Sequence, residues 1–353
     1  MRIGRHWLVE SLLGAALPVA LLALVALWGS QSGGSLETKL THFFINVVFV
    51  VALQLFSGNS GILSFGHMAF IGVGAYTAAL VTIDPLLKGS LLSAAPSFVQ
   101  HANLSVWQAV LLAAGIAGAV AVATAFPILR LDGASAVIAI LSLLLIADVV
   151  FGNWQELTNG GAGLYGVPDD ATLARTLLVA CVAVVVARIF RDSKIGLLLQ
   201  GSREDPVSAA AVGVPVRLYR AQAWVLSAML AGAGGALYAF WLGTAIPSAF
   251  FLGPTFALIV MFIVGGTATV GGAVLGAAAV TAVQEGLRPY ENDGLLFANR
   301  LTGLTQFTLV VMILVVMYVR REGILGRLEA DEWLRRHLSR SPRFGGARTG
   351  APS

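Results

Sequence analysis

Few side chains in this sequence could do chemistry, and they gather in three short stretches. The first is GNSGILSFGHMAF at 58–70, which holds Ser64 and His67 between the breaks at Gly58, Gly61 and Gly66. The second is GGTATVGG at 265–272, where Thr267 and Thr269 stand among Gly265, Gly266, Gly271 and Gly272. Both stretches interrupt apolar runs. A helix broken at membrane depth exposes backbone N–H and C=O groups, and only protein or a water-filled cavity can satisfy them there. Helix N-termini at such breaks can receive a carboxylate. The chemistry on offer is recognition of a small polar solute rather than bond making. The third stretch is RDSKIGLLLQGSREDPVSAAAVGV at 191–214. Asp205 caps a helix that opens on Pro206. Ala209, Ala210 and Ala211 give that helix a smooth surface, and Gly213 ends it. A helix of this kind can seat in a partner's groove; an ordinary amphipathic connection is the other reading.

Other candidates are scattered. His67 either packs against a carbonyl of a neighbouring helix or lines a pathway with Ser64, Thr267 and Thr269. Tyr76 reads as an interfacial anchor or as a pathway residue. Asp148 is an ionisable group inside an apolar run, and such groups are costly and usually functional. It sits near the run's outer end, where solvation reduces that cost. Asn46 and Gln54 read as hydrogen-bonding groups between helices. No nucleophile–base pair, no Cys/His metal cluster and no G-x-x-x-x-G-K-[ST] phosphate loop occurs, so the chain reads as neither an enzyme nor an ATPase. It has no catalytic residues and no metal site to offer. Cys181 is the single cysteine, and it reads as a small buried hydrophobe.

The elements that must position these residues are membrane helices. Of 353 residues, 57% are hydrophobic and 11% charged, against about 25% charged in soluble domains. Apolar stretches near 7–28, 40–57, 64–82, 105–128, 133–152, 172–190, 218–241 and 297–319 are each of a length to cross a core of about 30 Å. The 40 glycines predict close helix packing, because small residues let backbones approach in lipid. The net charge of +4 is no nucleic-acid signal, since the basic residues sit in short segments beside the spans. Arg2, Arg5, Arg130, Arg188, Arg191, Lys194, Arg203, Arg217, Arg220, Arg320 and Arg321 mark one side as cytoplasmic. The connections at 83–104 and 153–171 lack arginine and fall outside. Segment 253–285 must then start and end outside, so it makes two short passes joined at its glycines, or a re-entrant pair. The fold class is an all-α polytopic membrane protein with 8–10 passes and both termini cytoplasmic. Residues 1–320 form the membrane domain, with a cytoplasmic loop at about 191–217. Residues 321–353 form a tail with an amphipathic helix over 324–338 on the membrane lipid.

Four motifs carry a resemblance. SREDPVSAAAVGV resembles the coupling loop of ABC importer permeases, which maps onto Arg203, Glu204, Asp205, Ala209, Ala210 and Gly213. SGNSGILSFGHMAFIGVGAYTAAL at 57–80, LTNGGAGLYGVPD at 157–169 and GGTATVGGAVLGAA at 265–278 look like the permeases of branched-chain amino acid (LivM-type) importers. The likeness runs in order from about residue 40 to 320. It departs at Asp132-Gly133-Ala134-Ser135, where the family usually has Arg-Gly and an aromatic. The resemblance implies a bacterial inner-membrane protein with no cofactor of its own and ATP-Mg on its partners. Those partners are a second homologous (LivH-like) permease, two ATP-binding (LivG/LivF-like) subunits and an extracytoplasmic substrate-binding protein. It implies uptake of branched-chain or other hydrophobic amino acids, or a related small carboxylate or amide, by alternating access. A stand-alone channel or secondary carrier is the alternative that broken helices also fit.

Overall fold

A computed structural model describes residues 7–31, 33–292, 303–320 and 323–326. Chain order is α1 (Trp7–Ser30), α2 (Gly34–Leu53) continued by a π-helical turn (Gln54–Gly58), α3 (His67–Thr82), α4 (Pro85–Leu91) and α5 (Ser97–Gln100). Next come α6 (Val106–Ile128), α7 (Gly133–Asn153), α8 (Gln155–Thr158), β1 (Leu164–Tyr165), α9 (Leu173–Asp192), α10 (Lys194–Gly201) and α11 (Pro206–Ala211). The chain closes with α12 (Val216–Leu242), β2 (Thr244–Ala245), α13 (Leu252–Gly265), α14 (Val270–Asn292) and α15 (Leu304–Val319). Among the described residues, eight helical segments are long and apolar enough to cross a membrane, nine if the bent pair α3–α4 counts as one span, and α15 is a shorter apolar helix of 16 residues.

The segment expected to turn back at its glycines forms two helices, each of a length and composition to cross a membrane. Its two halves are α13 and α14, packed side by side, with the break at 266–269. Their contact is backbone on backbone. A methyl at Gly265 would strike the carbonyl of Gly272, and one at Gly276 the carbonyl of Met261. Gly266 takes φ +113°, a conformation that L side chains rarely adopt, and so lets the chain reverse there.

The core is α2, buried almost throughout its length from Phe43 onward, and α12, whose small residues face α3 and α6. A side chain at Gly235 would collide with the carbonyl of Ile71, and one at Gly74 with that of Gly232; a methyl at Gly232 would meet the Ala113 carbonyl at 2.7 Å. The glycine content thus does the work expected of it in a solvent that gives no hydrophobic drive between helices.

The two ends of the bundle differ. One end carries α10, α11, both glycine breaks and the start of α7. The other carries α4, α5, α8 and the β1–β2 ladder, in which Leu164 pairs with Ala245 and Tyr165 with Thr244. The chain bends by 115° between α3 and α4. Asp84 caps α4 through the Leu86 N–H at 2.8 Å. The expected amphipathic tail helix lies outside the described residues except at its start. There, 323–326 form a turn, with the Ile324 N–H donating to the Val264 carbonyl at 2.9 Å.

Candidate functional site

The residues expected to line a pathway are mostly packed inside the bundle. The π-helical turn lies near the end of the helix that α2 begins, which runs on to Ser60, and residues 61–66 are non-helical before α3 starts at His67. His67 is fully buried. Its Nδ1 lies 2.6 Å from the Ser64 hydroxyl and its Nε2 3.1 Å from the Ser227 hydroxyl of α12. The ring packs against Phe56, Phe70 and Trp224. It bonds hydroxyls rather than the backbone carbonyl that the sequence reading offered, and fixes where α3 begins against α12. Ser227 lies about 16 Å along α12 at about 1.5 Å per residue, so α3 begins well inside the bundle although the break opens at the α11 end.

Tyr76 is no interfacial anchor. It is buried between Phe151 and Phe250, and its hydroxyl has no hydrogen-bond partner among the described residues. Asp148 is half-buried on α7, within electrostatic reach of that hydroxyl. Thr269 is a cap: its hydroxyl accepts from the Gly272 N–H at 3.1 Å, which starts α14. Thr267 is exposed, and its carbonyl abuts Gly58, so the two glycine breaks touch. A methyl at Gly66 would meet the Ile140 carbonyl of α7 at 2.7 Å. Gly61 has φ +75°. Gly271 lies in the first turn of α14. Asn46 does bond across helices, to Thr281 of α14 at 3.0 Å. Gln54 does not: both ends of its buried amide lack partners among the described residues. Cys181 is only half-buried.

The third stretch is packed through Leu199 and Ser202 of the α10 region and ends in an exposed arm, α11. Asp205 accepts from the N–H groups of Val207 at 3.1 Å and Ser208 at 3.0 Å, and from the Ser208 hydroxyl. The Ser208 hydroxyl, then the backbone bonds, hold its carboxyl below the usual carboxylate range. None of α11 is buried; Val207 is 80% exposed and Val212 81%. Glu204 is exposed, Ala209 half-buried and Ala210 exposed, and Gly213 turns the chain at φ +87°. The arm is tied to the first glycine break. Gln200 donates to the Asn59 side-chain oxygen at 3.0 Å, and Arg203 to the Asn59 carbonyl at 3.3 Å. Beside it, Arg220 of α12, buried, pairs with Asp132 at the start of α7. That pair occupies the position where the sequence departs from the family pattern.

A cavity of about 360 Å³ opens elsewhere, between α2, α3, α12, α13, α14 and α15, toward the end opposite α11. Its mouth carries His42, Glu285, Arg288 and Glu291; its floor is Phe49, Met68, Leu258, Met261 and Leu309. His42 stacks on Trp241 at 4.4 Å and 7°, and its Nδ1 lies 3.3 Å from Glu285. Arg288 reaches both Glu285 oxygens at 3.4 Å. None of the six expected pathway residues lines this cavity. Sequence reasoning singled out Asn46 among its polar members and passed over the charged ones. The signal was there: charges at 285, 288 and 291 recur every three residues, which places them on one side of a helix.

Residues 35–319 match the family described as branched-chain amino acid transport system / permease component. The chain belongs to this permease family. The permease is 23% identical over 342 residues to the high-affinity branched-chain amino acid transport system permease protein LivM of Escherichia coli (strain K12). It is 24% identical over 343 residues to the LivM protein of Salmonella typhimurium. Each alignment covers 87% of this permease and 74% of the relative. No solved structure matches it.

Proposed function

We propose that this permease component is one membrane subunit of an ATP-driven importer of branched-chain or other hydrophobic amino acids, or of a related small carboxylate or amide. A second, homologous permease pairs with it, two ATP-binding subunits sit at the α11 end, and a substrate-binding protein delivers solute at the other. The α11 end is cytoplasmic in this reading, because Arg130, Arg191, Arg203 and Arg217 cluster there. ATP-Mg acts on the ATP-binding subunits, not on this chain.

One observation carries the reading. No residue of α11 is buried, yet Gln200 and Arg203 just before it join it to Asn59, and the break that starts there abuts Thr267 of the second break. A push on the arm therefore reaches both interrupted helices through three residues. A channel or secondary carrier has no use for such an arm. Gentle purification from native membranes with mass spectrometry tests the assignment. A second permease and two phosphate-loop proteins are expected in the complex. A chain that emerges folded but alone, or only with copies of itself, overturns it in favour of the carrier.

A further inference from the structure

We propose that a groove between α6 and α12 is a binding site for one anionic phospholipid of the leaflet on the α11 side. An acyl chain lies in the groove, and the phosphate sits between Arg130 and Arg217. The proposal uses the membrane crossing of these two helices and not the transport reading, so either can fail without the other.

Small residues shape the groove. Away from the α11 end, α6 and α12 touch through backbone: a methyl at Gly232 would meet the Ala113 carbonyl at 2.7 Å and the Ala117 side chain at 2.5 Å. Toward the α11 end this contact gives way to a groove of about 380 Å³. Its walls are Val122 and Ala125 of α6 and Ala221, Val225, Leu226 and Met229 of α12. The Trp224 indole N–H donates to the Thr124 hydroxyl at 3.3 Å and ties the two helices at the same level. Val122 is exposed, as is Phe126 one turn on, so the groove opens sideways into the bilayer. From Ala221 to Met229 is about 12 Å along α12, at about 1.5 Å per residue. One leaflet supplies about 15 Å of a hydrocarbon core of about 30 Å, so the groove matches the run of one acyl chain.

Charge names the occupant. Arg217 stands one helical turn before Ala221 and so continues the groove wall of α12 toward the membrane surface. On α6, Val122, Phe126 and Arg130 follow the same four-residue spacing. Arg217 is exposed, with no hydrogen bond or ion pair among the described residues. The Arg130 guanidinium lies 3.7 Å over the Phe126 ring, which covers its flat face and leaves its N–H groups to point outward. Arg220 is buried and already paired with Asp132, so that carboxylate neutralises neither of the other two. A guanidinium takes phosphate oxygens in a fork of parallel hydrogen bonds. Gln222 lines the groove about 7.5 Å deeper than Arg217. The polar layer of a leaflet is about 5–7 Å thick, so the Gln222 amide meets the level of the ester carbonyls below the phosphate. A zwitterionic head group sets its own cation against the two arginines; an anionic one does not. Basic pockets between spans on the cytoplasmic side suit anionic head groups for this reason.

The test is native mass spectrometry of the full chain in mild detergent, with whatever subunits purify beside it, after addition of phosphatidylglycerol or of phosphatidylcholine with the same acyl chains. One phosphatidylglycerol per chain is expected to stay bound, preferred over phosphatidylcholine by about thirtyfold, at about fivefold for each arginine. The preference should shrink as salt rises. Arg130→Gln combined with Arg217→Gln should bring phosphatidylglycerol down to the level of phosphatidylcholine. Ala221→Trp, which fills the groove, should expel both lipids. Equal retention of the two lipids by the wild-type chain overturns the proposal, and so does a preference that survives the double variant; the wild-type comparison holds even if a variant misfolds. A protein occupant would show itself differently: Ala221→Trp would abolish pairing with a second permease and leave phosphatidylglycerol retention unchanged, and that result also overturns the proposal.

Discussion

At the scale of single residues, burial decides which polar groups matter. Lys88 has no exposed surface, although it sits on the short helix after the 115° bend. Its ammonium donates to the Ala102 carbonyl at 2.5 Å and the Val99 carbonyl at 3.4 Å, and so pins the 92–104 connection to α4. Burial pushes the ammonium down from the usual lysine range, with Asp84 acting against it. Lys88→Ala should leave two carbonyls short of a donor and loosen that connection by about 1–3 kcal/mol. Hydrogen exchange over 92–104, faster in the variant and unchanged at α12, would show it; uniform protection would refute the pin. Asn46 was legible from sequence because an amide inside a span needs a partner on the next helix. Gln54 carries the same signal, and a π-helical turn leaves it unpaired. Tyr76 misled for a related reason. Aromatic residues near span ends usually mark the interface, but packing of α3 against α7 draws this ring inside.

At the scale of elements, glycine position separates contact from composition. Gly235 and Gly115 both lie in apolar helices, and sequence alone treats them alike. A side chain at Gly235 strikes the Ile71 carbonyl, whereas one at Gly115 meets nothing within 4 Å. Gly235→Leu should force α12 away from α3 and cost the folded protein several kcal/mol, while Gly115→Leu should be neutral or slightly favourable. Recovery of monodisperse protein in mild detergent, followed by its thermal unfolding, compares the two. Equal behaviour would mean that α3 and α12 can part without loss. The broken segment at 253–285 was legible because charge parity demanded a segment that turns back on itself at its glycines. Its ends were less so: α14 runs on to Asn292, past the point where apolar character fades, because its last turns form the wall of the cavity.

At the scale of the whole molecule, the spans, the breaks and the arm were readable, and the cavity was not. It joins side chains from 42 to 309, and no local pattern states which faces of six helices meet. The arm and its connection to the breaks allow two losses to be told apart. Glu204 is exposed beside α11, and Glu204→Lys should prevent attachment of ATP-binding subunits, so that neither co-purification nor ATP-driven uptake survives. Asn59→Ala should leave attachment intact, cut the tie to Gln200, and lower uptake per ATP hydrolysed severalfold. Transport and hydrolysis measured together in proteoliposomes read both quantities. If Asn59→Ala transports with unchanged efficiency, force passes by another route.

Backbone contacts without intervening side chains have a mechanical meaning. Helices that touch at Gly74, Gly232 and Gly235 cannot roll on one another, because any rotation brings a bulkier neighbour into the seam. The helices α3, α6 and α12 therefore behave as one stiff plate. The helices α13 and α14, fused at Gly265, Gly272 and Gly276, form a second. Between these plates stands α2, and the seam that borders it is the cavity. Widening or narrowing of that seam needs no helix to bend; the plates need only tilt about α2, with the touching glycine breaks at one end as the fulcrum.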